Sequence, residues 1–183
     1  MDILNRIIAK KLYGGGAGGG SPTAEDGIID RTLTEYSNQR VTKIGNYAFS
    51  WSTALKSVDF PAAKEAGQYC FNNCTKLANV NVPMVEKVNS YSFGACTQLK
   101  HLNLPNCKSI GDYAFFSSRY LTTLVLGAST VCTLYNTSAF TSTPIASGTG
   151  FIYVPDDLVD SYKAATNWST YAAQIKPMSE LGV

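Results

Sequence analysis

Charge, histidine and long apolar runs are all scarce in this chain, and each scarcity argues against a class of function. Charged residues make up only 15% of its 183 residues, against roughly 25% in a typical soluble protein. Ser, Thr and Asn supply the polar surface instead. A formal net charge of +2 without a Lys or Arg run gives no field that would hold a phosphate backbone, so no nucleic-acid partner is expected. No stretch approaches the roughly 20 apolar residues that cross a bilayer, so no membrane insertion is expected either. The five cysteines are an odd count. Cys70 and Cys74 are spaced like half of a zinc site, but the other half is missing. Reduced, structural thiols are expected. His101 is the only histidine and makes no metal site by itself. No carboxylate pair falls in register, and no serine or cysteine has a histidine partner in sequence context. The chain is expected to be no enzyme and to need no cofactor.

What the chain does have is self-similarity. Tyr47, Tyr69, Tyr91 and Tyr113 stand 22 residues apart, with Phe49, Phe71, Phe93 and Phe115 two places on and Leu55, Leu77, Leu99 and Leu121 eight places on. A fixed period of this length marks a solenoid, whose single unit cannot bury its own apolar face. The expected fold is an α/β repeat solenoid with turns of about 22 residues, short parallel strands on one face and a helical C-terminal cap. Each copy reads as a helical or irregular segment followed by a strand. The strands are placed at Leu55 to Phe60, Leu77 to Val82, Leu99 to Leu104 and Leu121 to Leu126. Pro61, Pro83 and Pro105 close the first three, since proline cannot donate to a ladder, and Gly127 stands in the fourth.

Four segments follow from this reading. Residues 1–13 carry the amphipathic stripe Leu4, Ile7, Ile8 and Leu12, a candidate docking peptide, and lack the layout of a secretory signal. Residues 14–22 form a flexible joint whose glycine run ends in Gly-Ser-Pro, without the lysine of a phosphate-binding loop. Residues 23–155 are the solenoid. Residues 156–183 are the cap, opened by Asp156 and Asp157 after Pro155.

Stacked turns place like on like. The phenylalanines should form a buried spine. Val41, Ala63, Val85 and Cys107 form a second inner column, and Ile44, Ala66, Val88 and Ile110 a third. Cys74 and Cys96 share a column with Ser52 and Ser118, which suggests that size sets those positions. The tyrosine column is read as structural, with packed rings and wet hydroxyls.

The repeat Ile-Gly-x-Tyr-Ala-Phe, then a small residue or cysteine, then Leu-x-x-Leu-x-Leu-Pro, resembles the BspA-like, or Treponema-type, leucine-rich repeat. Ile110 to Phe115 and Leu99 to Pro105 match it almost letter for letter. The tail Ile152 to Lys163 resembles the closing segment of such proteins from gut bacteria and their phages. The resemblance implies a non-enzymatic, surface-displayed protein, of a family in which several members bind host or matrix components.

The binding candidates are the strand residues that point away from the core: Ser57, Asp59, Asn79, Asn81, His101, Asn103, Thr123 and Val125. They are expected to meet a protein or glycan surface. Residues 1–13 are expected to join the chain to a larger assembly. The favoured role is a phage virion component for attachment or decoration, on the virion surface or otherwise extracellular. The alternative is a bacterial cell-surface adhesin.

Overall fold

The computed structural model describes residues 23–24 and 31–182. The docking stripe Leu4, Ile7, Ile8 and Leu12 and the glycine joint lie outside the described residues. The described residues form thirteen short strands: β1 (Thr23–Ala24), β2 (Glu35–Ser37), β3 (Lys43–Ile44), β4 (Ser57–Asp59), β5 (Glu65–Ala66), β6 (Asn79–Asn81), β7 (Lys87–Val88), β8 (His101–Leu104), β9 (Ser109–Ile110), β10 (Thr123–Leu126), β11 (Thr133–Leu134), β12 (Phe151–Val154) and β13 (Ile175–Pro177). An α-helix, α1 (Val159–Ala164), follows β12.

Each turn of the solenoid has three sides around one core. The first side carries the expected strands, in two parallel sheets of order β2-β4-β6 and β13-β12-β10-β8. Paired residues are offset by one repeat, as in Val58 with Val80 and Leu102 with Leu124. The strands are shorter than expected at their starts. Where β6 begins, the Lys56 carbonyl accepts from both Ala78 N at 2.9 Å and Asn79 N at 3.1 Å, so the chain is still bending as it enters the sheet.

The second side adds a sheet that period-2 patterning could not reveal, because its strands are only two residues long. β1, β3, β5, β7, β9 and β11 run in parallel along the whole described array, each burying its second residue where side chains are described: Ile44, Ala66, Val88, Ile110 and Leu134. The motif glycine belongs to this side. A Cβ on Gly67 would lie 2.6 Å from the Ile44 carbonyl oxygen, so successive turns approach too closely there for a side chain.

The third side is the segment read as helical or irregular, and it is a run of turns. Tyr47, Tyr69, Tyr91 and Tyr113 have φ between 54° and 59°, and the residues four places on, Trp51, Asn73, Ala95 and Ser117, lie between 53° and 63°. Left-handed backbone at non-glycine residues is costly, and here hydrogen bonding offsets it. Tyr47, Phe49 and Trp51 donate their N–H groups to the carbonyls of Gln68, Cys70 and Asn72 in the next turn, at 2.7 to 2.9 Å. Ser50 and Ser52 donate within their own turn, three residues back, each at 3.0 Å. The alternation satisfies every second N–H along the stack and the rest locally.

The core between the three sides matches the expected columns. Phe49, Phe71, Phe93 and Phe115 are fully buried, and Phe140 extends the spine into the degenerate fifth copy. Neighbouring rings stack with centroids 5.3 to 5.9 Å apart. Each ring contributes about 1.5–3 kcal/mol of burial and a smaller stacking increment. The serine and cysteine column obeys chemistry as well as size. Cys74 Sγ donates to the Phe49 carbonyl at 3.0 Å, Cys96 Sγ to that of Phe71 at 3.2 Å and Ser118 Oγ to that of Phe93 at 2.6 Å. The slot calls for a small donor.

The C-terminal segment closes two sides by different means. β13 adds to the strand face beside β12, so the cap is partly sheet. On the second side, side chains satisfy the exposed edge of the last turn. Trp168 Nε1 donates to the Cys132 carbonyl at 2.6 Å, Asn167 Nδ2 to that of Leu134 at 2.7 Å, and Cys132 N donates to Tyr162 Oη at 2.9 Å. An edge that would otherwise template another strand is thereby terminated.

Candidate functional site

The eight residues singled out on the strand face fall in two rows, each broken between β6 and β8, which belong to different sheets. One row is Ser57, Asn79, His101 and Thr123; the other is Asp59, Asn81, Asn103 and Val125. Their partners in the core, Val58, Leu102 and Leu124, are buried, as strand alternation requires. Asn79, Asn81, His101 and Asn103 are exposed, while the outer members Ser57, Asp59, Thr123 and Val125 are half-buried. The face is therefore most open at its centre.

Asp59 anchors the N-terminal half of the face. Its carboxylate accepts from Asn81 Nδ2 at 2.7 Å, Gln39 Nε2 at 2.7 Å and Ser37 Oγ at 3.0 Å. Partial burial works to raise its pKa. The three hydrogen bonds from Asn81, Gln39 and Ser37 outweigh that and hold it below the ordinary carboxylate value. This fixes Asn81 toward β4 and ties three successive strands together by side chains.

The face also extends further than the 22-residue register indicated. Phe151 lies beside Thr123 and Tyr153 beside Val125, with ring centroids 6.5 Å apart. Lys176 follows Tyr153. These residues escaped the sequence reading because the Pro144 to Gly150 insertion breaks the period. The alternation of Phe151 and Tyr153 with Ile152 and Val154 was the signal available. An amide-rich centre thus passes into a short aromatic and cationic end.

The other candidates fall to structure. The tyrosine rings stack 4.7 to 4.9 Å apart with planes within 14°. All five cysteines are free and buried. Burial pushes the Cys74 thiol up to about 12, and Cys70 and Cys96 rise for the same reason. These are poor nucleophiles. Among the described residues, no group of three or more His, Cys, Asp or Glu could hold a metal ion. No described helix is long and apolar enough to cross a membrane.

Comparison with solved structures yields the same fold at low identity. A leucine-rich repeat protein from Bacteroides ovatus aligns with a TM-score of 0.61 at 19% identity, covering 79% of this chain and 36% of that one. The pneumococcal vaccine antigen PcpA aligns with a TM-score of 0.54 at 13% identity, covering 80% and 40%. The T. pallidum leucine-rich repeat protein aligns with a TM-score of 0.53 at 22% identity, covering 63% and 52%. The chain therefore spans about half or less of the length of these structures. No curated protein matches it. The model of the BspA type leucine rich repeat region matches residues 32–146 in 6 copies, the same stretch in which the spine, the small-donor slot and the strand face recur, and the chain belongs to that family.

Proposed function

We propose that this chain is a non-enzymatic binding module whose strand face meets a protein or glycan surface. One observation carries the reading: the inward columns stay apolar from turn to turn, while the outward row runs through Ser, Asn, His, Thr and Phe along the parallel strands of this face. A repeat scaffold that keeps its core apolar and varies one face is suited to recognition. Exposed amides at the centre and the Phe151–Tyr153 pair at one end offer hydrogen bonding and ring stacking, the two contacts that sugars and extended peptides both use.

Two settings fit such a module. In the first it is a phage virion component, for attachment or decoration, carried by residues 1–13 behind the glycine joint. The amphipathic stripe supports this, and a truncation lacking residues 1–20 should then fail to join particles. In the second it is a bacterial cell-surface adhesin. The bacterial sources of the solved structures that share its fold support that reading, and recovery of the native protein in surface fractions without virion genes beside its gene would favour it.

The binding reading is tested on arrays of glycans and extracellular matrix proteins. The full chain is compared with Asn103→Lys and Thr123→Lys, which change the face without touching the core. Ligands retained by the wild type should be lost by both variants. Equal binding by all three would remove the strand face from the function.

A further inference from the structure

The strand face is not continuous. β6 and β8 belong to different sheets, although the same two repeats pair normally on the second side through β7 and β9 and stack normally in the spine through Phe71 and Phe93. The array is thus splayed at one junction and on one side only. The splay coincides with a change in the inward columns, from Val58 and Val80 to Leu102 and Leu124, and from Val82 to Leu104. At the junction Val80 is half-buried, whereas Val58, Leu102 and Leu124 are buried.

The opening is lined by unpaired backbone. In parallel pairing, alternate residues of a strand direct both N–H and C=O to the same neighbour. Asn79 N bonds to Lys56 O and Asn81 O accepts from Phe60 N, so Asn79 and Asn81 serve β4. The N–H and C=O of Val80, the carbonyl of Ala78 and the N–H of Val82 are therefore turned toward β8. Thr123 N bonds to Lys100 O, which by the same alternation turns the N–H and C=O of His101 and Asn103 toward β6. No pairing joins β6 to β8, and no turn or loop hydrogen bond reaches these groups among the described residues. Between the two edges lies a cleft of about 360 Å³, within the range of ligand sites. Its lining has the apolar residues Val58, Val80 and Leu102, the amides of Asn79, Asn81 and Asn103, and His101, with no Asp, Glu, Lys or Arg.

We propose that this cleft binds an extended, uncharged polypeptide segment of a partner protein, which inserts as a strand between β6 and β8 and joins the two sheets into one. Facing rows of donors and acceptors match a polypeptide backbone, and two open edges could bond both sides of one strand. A lining without carboxylate, lysine or arginine offers no ion-pair partner to a charged side chain. The apolar floor at Val80 favours a small apolar residue directed inward. The inference rests on the strand face being the binding surface, and it names the class of ligand as peptide.

The test begins with amide exchange in the free full-length chain. Val80 and Asn103 should exchange fast, while Val58 and Val125 are protected. Protection of Val80 and Asn103 equal to that of Val58 would show the edges to be paired and would overturn the inference. Random nonapeptides displayed as a library are then panned on the chain, and those recovered are synthesised. In their complexes the Val80 and Asn103 amides should slow by about tenfold or more, and methylating alternate peptide nitrogens should weaken binding by about tenfold. Peptides lost on Asn103→Lys that leave these amides unchanged would keep the strand-face reading and refute insertion. Recovery of no peptide, with glycan or matrix ligands still lost on Asn103→Lys, would also refute insertion alone.

Discussion

Phe93 lies between Phe71 and Phe115 in the middle of the spine, with both ring faces covered and no exposed surface. Phe93→Ala should cost about 3–5 kcal/mol, read from urea unfolding, because covered neighbours cannot collapse into the cavity. A loss below about 1 kcal/mol would mean that the spine is not the core. Ala95 has φ of 53° and no side chain beyond Cβ, so it bears left-handed strain without a packing return. Ala95→Gly should therefore stabilise the fold by about 0.5–1 kcal/mol, the reverse of the usual direction. Asp59 has a folded pKa below its ordinary value, so its contribution is complete above the unfolded carboxylate range near about pH 4. It fades as pH falls through the lower folded value. The stability gap between wild type and Asp59→Asn should be constant from neutral to mildly acidic pH and narrow toward pH 3. A gap that widened on acidification would show that Asn81, Gln39 and Ser37 do not hold the carboxylate.

At the scale of elements, the inward columns were legible because one substitution pattern is repeated at one period. Cys107 could be placed beside Val85 without any knowledge of geometry. The third side was not legible. A tyrosine gives no sign of left-handed backbone, which is usually the mark of glycine, and the inter-turn bonds from Tyr47, Phe49 and Trp51 are what make it tolerable. The opening between β6 and β8 was hidden for a related reason: Asn79-Val80-Asn81 and His101-Leu102-Asn103 have the same pattern, and splay arises from the fit between copies. The outward rows of the strand face were recoverable as far as Val125, and Phe151 and Tyr153 were lost with the period. The cap yields its own test. Trp168 is buried against Phe140 and donates to the Cys132 carbonyl, so Trp168→Ala should cost about 3–5 kcal/mol. Because repeat arrays fray from their ends, hydrogen exchange should rise first in residues 131–141 and only later in residues 41–52. Uniform acceleration would mean that the array unfolds as a single unit.

Taken whole, the molecule is a prism with one sheet running the length of the described array, one interrupted sheet and one side of stacked turns. Its five cysteines are distributed from Cys70 to Cys132 and all lie inside it. A thiol reagent should find none in the native protein and five after denaturation, so partial labelling would locate an opened turn. The turn side has a further property. Tyr47, Phe49 and Trp51 donate to the turn that follows them, Tyr69, Phe71 and Asn73 do the same, and so do Tyr91, Phe93 and Ala95. In these main-chain bonds of the turn side the donor lies in the earlier turn and the acceptor in the later one. These peptide dipoles point the same way and add along the axis, as they do in an α-helix. The turn side is therefore electrically polar along its length without any charged residue, while the second side carries bonds of the opposite sense, from Gly67 N to Ile44 O and from Gly111 N to Val88 O. The carbonyl-rich pole of the turn side lies toward the N-terminus and its amide-rich pole toward the cap, and every added repeat would lengthen the dipole.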